Sequence, residues 1–284
     1  MGNRIGRERP DSTVSHKAET AGVEGSVTAC RDGAVSRVTL DRPSRRNSLT
    51  KLMIGALVDA LTDAAADDSL RAIHIRGAGD DFCAGVDWVA ANNRQRPRAG
   101  DLVRRIPHAA HRVIELVASV QLPVVCSVQG RAVGFGCNLA LAADFTVAST
   151  DAVFWEPFVD RGFSPDSGST WLLSRLVGLA RARRMLLLSE KVSATDAADW
   201  GLIHQALSRP ELDDTAEKLL ERLAGGPTVA IGLAKQALSF GQHATLSQSM
   251  TQELFNLELS CRTGDFKEGL AAFQQRRAPE FRGR

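Results

Sequence analysis

Two stretches of the chain could do chemistry without any reactive side chain. The first is Asp81-Phe82-Cys83-Ala84-Gly85-Val86-Asp87, and the second is Gly130-Arg131-Ala132-Val133-Gly134-Phe135-Gly136-Cys137-Asn138. Each follows an apolar segment that reads as a strand, and the second runs straight into a helix. Glycine admits unusual backbone dihedrals and lets N–H groups approach a ligand. A helix start adds unpaired N–H donors and a partial positive charge. Two such loops side by side could form an oxyanion hole made wholly of backbone amides. Spacing alone leaves ordinary turns as the competing explanation.

Other chemistries fail letter by letter. Gly77-Ala78-Gly79 and Gly134-Phe135-Gly136 do not complete G-x-G-x-x-G, and there is no Walker A sequence. Gly162-Phe163-Ser164-Pro165-Asp166 is not a G-x-S-x-G elbow. The six histidines are scattered, without H-E-x-x-H spacing. Five cysteines form no C-x-x-C pair, which excludes a zinc ribbon or thioredoxin-type motif and predicts buried, reduced thiols. No metal is implied.

The elements that must position the loops follow from periodicity and turn signals. Residues 26–31 and 34–40 read as strands joined at Asp32-Gly33. A helix carries Leu57, Leu61 and Ala64 at helical spacing, and 71–76 alternates as a strand around Ile73 and Ile75. Residues 101–120 read as a helix irregular at Pro107, 124–128 as a strand, 137–143 as a short helix and 145–148 as a strand. Helices are predicted over 166–177, ending at Gly178, and over 180–189. From about Thr195 the chain is mostly helical, including 213–223, 228–239 and 252–262. This order predicts an α/β core followed by a helical C-terminal region.

The composition fits that frame. At 284 residues, length alone allows roughly one or two domains. Lys plus Arg total 35 against 33 Asp plus Glu, which gives no broad nucleic-acid signal. No apolar run reaches the roughly 18–20 residues of a membrane span. Residues 1–25 read as a flexible tail without the apolar core of a signal peptide, so a cytoplasmic protein is expected.

Taken together, several segments resemble the crotonase (enoyl-CoA hydratase/isomerase) superfamily. They are Leu40-Asp41-Arg42-Pro43 with Arg46-Asn47-Ser48-Leu49, Phe82 to Asp87, and Leu122-Pro123-Val124-Val125 through Asp144. Gly162 to Asp166, Ala197-Ala198-Asp199-Trp200-Gly201-Leu202-Ile203 and Arg277-Ala278-Pro279-Glu280-Phe281 complete the set in the family's order. The resemblance implies an α/β crotonase-like (ClpP/crotonase) spiral of ββα units over 26–205. It also implies a helical trimerisation region over 206–284, in a homotrimer or a hexamer of two trimers. The implied ligand is an acyl-CoA thioester, with CoA entering as part of the substrate and no separate cofactor. Its carbonyl would sit on the backbone N–H groups of Val86, just after Gly85, and Phe135, just after Gly134. Ala84 matches the position whose carbonyl meets the CoA adenine. Arg46 lies where basic residues approach the CoA phosphates, with a solvated surface charge as the alternative.

The chain departs from the family's hydratase pattern, which uses two glutamates. Asn138 and Phe158 stand at those positions, and neither can be a carboxylate base. Asp166 resembles instead the catalytic aspartate of dienoyl-CoA isomerases and of isomerases in bacterial phenylacetate degradation. An isomerase needs no bound water: one base can move a proton while the oxyanion hole holds the enolate. Burial beside Trp155, Phe158 or Phe163 would raise the Asp166 pKa. A helix cap at Asp166 is the alternative. Asn138 is read as a donor to substrate or to Asp166, or as a helix-start residue. Glu156 and Asp160 are reserve carboxylates, with solvent exposure the expected fate of each. Trp88, Trp155, Trp171, His108 and His111 are candidates for the edges of an acyl pocket, against core or surface roles. The sequence therefore favours an enoyl-CoA isomerase-like enzyme, with a hydratase (or other crotonase lyase or hydrolase) of non-standard acid–base set and a non-catalytic acyl-CoA-binding protein as alternatives.

Overall fold

The computed structural model describes residues 25–87, 100, 103–104, 106–107 and 109–284. Trp88, His108 and almost all of the N-terminal tail therefore lie outside the described residues.

β1 (Ser26–Asp32) and β2 (Val35–Asp41) form an antiparallel hairpin that turns on Gly33 and Ala34, one residue later than the sequence predicts. From β2 onward the chain repeats one unit: a strand in a large sheet, an extended segment in a smaller sheet, then a helix. β2 leads to Leu49 and α1 (Lys51–Ala66), whose start is capped by the Thr50 side chain. β3 (Ala72–Gly77) leads to Cys83 and Val86 and then to α2 (Ala110–Ser119). β4 (Val124–Val128) leads to β5 (Arg131–Val133) and α3 (Phe135–Leu141). β6 (Phe145–Ser149) leads to β7 (Val153–Trp155), α4 (Ser169–Leu176) and α5 (Gly178–Leu187). β8 (Val192–Ser193), α6 (Ala194–Asp199) and β9 (Gln205–Leu207) close the spiral.

The large sheet has the order β1-β2-β3-β4-β6-β9 and is parallel from β2 on. The small sheet has the order β5-β7-β8, and the bridges Cys83–Ala132 and Leu49–Val86 extend it toward the earlier units. All five residues of β4 are buried, as expected for a parallel strand covered on both faces. One cover is α7 (Arg209–Ala224), which lays Leu212, Ala216 and Leu220 on the sheet at helical spacing. The chain ends in α8 (Thr228–Gly241), α9 (Leu246–Ser260) and α10 (Gly264–Gln275). Among the described residues no helix is long and apolar enough to cross a membrane.

Element boundaries differ from the sequence expectation where local chemistry overrides periodicity. α3 begins at Phe135 rather than Cys137, because the turn at Gly134 leads directly into it. α4 begins at Ser169 rather than Asp166, because Ser167 and Gly168 both hold positive φ and interrupt the turn. α7 begins at Arg209, where Ser208 and Glu211 form a capping box around Pro210. Within the stretch expected as a helix irregular at Pro107, Val103 and Arg104 are helical, a bend and turn fall at Ile106 and Pro107, and α2 runs from Ala110.

One buried side chain ties the first turns of the spiral together. Asn47 holds φ at 54°, a left-handed conformation that asparagine tolerates. Its Oδ1 accepts from the Arg42 N–H at 2.8 Å, and its Nδ2 donates to the carbonyls of Ala78 and Asp81 at 2.8 and 2.7 Å. The Arg42 guanidinium donates to Ser48 and pairs with Asp87 at 2.8 Å. Replacing Asn47 by Ala strands one buried and two part-buried backbone groups, each costing up to roughly 1–3 kcal/mol when unsatisfied. Asn47→Ala is expected to lower stability by about 2–4 kcal/mol, read as a lower urea midpoint.

Candidate active site

The second and third units bring the two glycine loops edge to edge. Cys83 donates to the Arg131 carbonyl at 2.9 Å and accepts from the Val133 N–H at 3.0 Å. Gly85 holds φ at 90°, and a Cβ there would stand 2.8 Å from the Val133 carbonyl oxygen and 3.7 Å from the Phe135 nitrogen. A Cβ on Gly136 would overlap the Cys83 backbone carbonyl and side chain. Only glycine at both positions permits this approach.

The orientation of two amides then follows from the peptide plane. In a trans peptide the C=O and N–H point in opposite directions. The Gly85 carbonyl accepts from Leu49 N–H at 2.8 Å, so the Val86 N–H faces the other way. The Gly134 carbonyl accepts from Asn138 N–H at 3.0 Å inside α3, so the Phe135 N–H points out of the helix start. Neither the Val86 nor the Phe135 amide has an acceptor among the described residues. Both residues line one cavity.

That cavity gathers most of the residues singled out from sequence. Ala84, Gly85 and Gly134 lie on its wall beside the two amides, and Phe158 and Asp166 face them. Phe158 meets Phe163 edge to face, with ring centroids 5.6 Å apart. Asp166 is half-buried, and its Oδ1 accepts from the Ser167 hydroxyl at 2.8 Å. The capping alternative for Asp166 is not what the structure shows: α4 starts three residues later with Gly168 at its cap, and no side chain caps it. The Asp166 carboxylate is left to the cavity.

The remaining described candidates lie off that wall. Asn138 is fully buried and does not line the cavity; its amide has no hydrogen-bond partner among the described residues, so it neither caps α3 nor donates to Asp166. Arg46 is exposed, 3.9 Å from Asp81, and off the cavity wall, although its carbonyl accepts from Ala84 N–H at 2.9 Å. Trp155 lines a separate groove, donates to the Ser189 carbonyl and carries Lys191 over its ring. Trp171 stacks with Arg175, and neither it nor His111 lines the cavity. Asp160 is exposed as expected, but Glu156 is fully buried. Burial pushes the Glu156 carboxyl well above its ordinary range; the Cys137 thiol pulls it down and the charge of Asp166 pushes it further up. Cys83, Cys126 and Cys137 are buried thiols, whereas Cys30 is exposed. Burial pushes Cys83 up to about 12, which makes it a packing residue rather than a nucleophile. No cluster of metal ligands occurs among the described residues.

Arg161 was not singled out from sequence. It lines the cavity from a short 3-10 turn (Val159–Arg161) and brings a cation to its mouth. Its only sequence signal was proximity to Phe158.

Comparison with known proteins points the same way as this geometry. Residues 31–284 match the family model described as enoyl-CoA hydratase/isomerase. The chain is 37% identical over 250 residues to 1,2-epoxyphenylacetyl-CoA isomerase of Escherichia coli K12, covering 88% of this chain and 95% of that protein. It is 33% identical over 254 residues to 2,3-dehydroadipyl-CoA hydratase of the same organism, covering 89% and 97%. The crystal structure of an enoyl-CoA hydratase from Polaromonas sp. JS666 superposes with a TM-score of 0.84 at 30% identity, covering 91% of this chain and all of that one. The same arrangement of loops makes Gly136→Ala a direct test of the amide pair. It should part the loops and lower turnover about 10²–10³-fold, the typical cost of one oxyanion donor, while circular dichroism shows the fold retained.

Proposed function

The chain belongs to the enoyl-CoA hydratase/isomerase family, and from that premise we propose that it moves a double bond along an acyl-CoA thioester, with Asp166 as its single acid–base group. As a family member it has the crotonase fold and acts on acyl-CoA thioesters. The observation that carries the finer reading is that, among the described residues, Asp166 is the one carboxylate lining the cavity of the Val86 and Phe135 amides. Names of relatives do not choose between isomerase and hydratase, since both occur among them.

The thioester oxygen accepts from the Val86 and Phe135 N–H groups. Asp166 removes a proton from C2 of a 3-enoyl thioester, and the electrons pass to the oxygen as a dienolate. The two amides bind this charge where it appears, in the transition state rather than in the substrate. The same carboxyl then returns its proton to C4, which leaves the double bond between C2 and C3. Ser167 occupies Oδ1 of Asp166, so Oδ2 is the oxygen that works. Phe158 and Phe163 present apolar faces where a hydratase holds water. Ala84 and Arg46 serve the CoA moiety, which arrives with the substrate, and no further cofactor takes part.

The same reading includes a homotrimer or a hexamer of two trimers. Leu238 on α8, Leu246, Leu254 and Phe255 on α9, and Phe273 on α10 are all exposed, large apolar side chains on the C-terminal helices that neighbouring subunits would cover. Light scattering on the purified chain is expected to give three or six subunits, and a monomer at micromolar concentration would count against it.

Purified protein is expected to convert 3-enoyl-CoA to 2-enoyl-CoA without hydroxyacyl product. Asp166→Asn should lower this turnover by roughly 10²–10⁴-fold, the range of a general base. Hydroxyacyl-CoA formed from 2-enoyl-CoA would favour the hydratase, and tight binding with no turnover would favour the binding protein.

A further inference from the structure

The reading of the cavity as an acyl-CoA site leaves one of its charged side chains without a task. Arg161 ends the short 3-10 turn and lines the same cavity as the Val86 and Phe135 amides. Its backbone place is fixed. The Phe158 carbonyl accepts from the N–H groups of Arg161 and Phe163, both at 3.1 Å, and Gly162 turns the chain with φ at 76°. Phe158 is itself buried, so the turn is wound on a packed ring. The guanidinium is free: among the described residues it has no ion pair, hydrogen bond or ring contact. Two carboxylates lie close in sequence, and neither takes it. Asp160 precedes it, and Asp166 lines the same cavity with its Oδ1 accepting from Ser167 instead.

We propose that Arg161 is a specificity-determining residue: it holds a carboxylate at the far end of the acyl chain, so that the site takes monothioesters of dicarboxylic acids. This rests on the reading of Asp166 as the group that works at C2 and C4. On that reading the segment with Phe158, Phe163 and Asp166 borders the acyl chain, and Arg161 belongs to the same segment. Among the described residues it is the one cation on the cavity wall. The oxyanion does not need it, since two amides already take that charge. A plain hydrocarbon chain would gain nothing from a guanidinium and would strip part of its water. A carboxylate would gain two parallel N–H···O bonds from the planar fork. Arg161 is exposed, so such a pair forms at the mouth, where neither ion loses all of its water.

CoA carries phosphates, the other anion that the same ligand could bring to this cation. The chain order favours the acyl end. Arg46 and Ala84, the residues given to the CoA moiety, come from the loops after β2 and β3, whereas Arg161 comes with Asp166 from the loop after β7. A distal carboxylate keeps its distance from the reacting carbons in substrate and transition state alike. Arg161 therefore supplies uniform binding, which lowers KM for the carboxylated thioester more than it raises kcat. Added salt weakens the pair, because it stays open to solvent.

The first measurement needs no turnover. Full-length protein is titrated calorimetrically with saturated thioesters in matched pairs: adipoyl-CoA with hexanoyl-CoA, succinyl-CoA with butyryl-CoA, and suberoyl-CoA with octanoyl-CoA. The wild type should bind the carboxylated member of at least one pair about tenfold more tightly. Arg161→Leu should remove that preference and Arg161→Lys should keep part of it, with circular dichroism showing both variants folded. A wild type without preference at any of the three lengths, or a preference that survives Arg161→Leu, would overturn the proposal. Equal weakening of both members of a pair in Arg161→Leu would place the guanidinium on the CoA phosphates and overturn it as well. Turnover of the 3-enoyl forms of the preferred length is the second readout. In Arg161→Leu, kcat/KM should fall about tenfold further for the carboxylated substrate than for the neutral one, mostly through KM; an equal fall for both counts against the proposal. If the wild type isomerises neither thioester, the function proposed above fails, and the binding preference still decides the role of Arg161.

Discussion

Two peptide planes carry the arrangement on which the rest of the site depends. In each, the carbonyl is bound inside the protein: Gly85 O by Leu49 N–H, and Gly134 O by the first full turn of α3. Peptide geometry then turns the Val86 and Phe135 N–H groups toward the same space. No side chain has to be aimed, so no rotamer entropy is lost when a ligand oxygen arrives. The cost is borne by the scaffold. Gly85 and Gly136 must lack Cβ for the loops to touch, Asn47 must hold a left-handed backbone, and Arg42 must be buried against Asp87. These groups fix the relative position of two successive turns of the spiral, which is the one distance the amide pair cannot tolerate losing.

The large sheet was legible because its strands carry a strong local signal. Residues 124–128 are apolar after Pro123 except for Ser127, as expected of a doubly covered parallel strand, and α1 shows Leu57, Leu61 and Ala64 on one face. The small sheet was not legible. β5, β7 and β8 have three, three and two residues, too few to show a period of two. Helix starts were misplaced for a related reason. Nothing in the letters says that α3 follows Gly134 directly, or that Ser167 adopts positive φ and delays α4. Both errors bear on the site, since one sets which N–H is free and the other decides whether Asp166 caps a helix.

The amide loops could be read as candidates from glycine and strand order, and Asp166 came from family likeness; the geometry places these together on one cavity wall. Glu156 could not be read. Its neighbours Trp155 and Pro157 give no alternation, and a glutamate four residues from an exposed Asp160 carries every mark of a solvated loop. Its burial is a property of the spiral: the Cys137 side of α3 closes over it from a different unit. Asn138 is the converse case. It occupies a position that the family likeness made prominent, yet the same α3 packing that buries it also removes it from the cavity.

A single carboxylate makes a physically different catalyst from a pair that holds water between them. With two ionisable groups at the substrate, one must be acid while the other is base, and water completes the reaction. With one, the proton taken must be the proton returned, so the carboxyl must not exchange it quickly with solvent while the dienolate survives. Under the proposed reading, the half-buried setting of Asp166, which shares its cavity with Phe158 and Phe163, would slow that exchange.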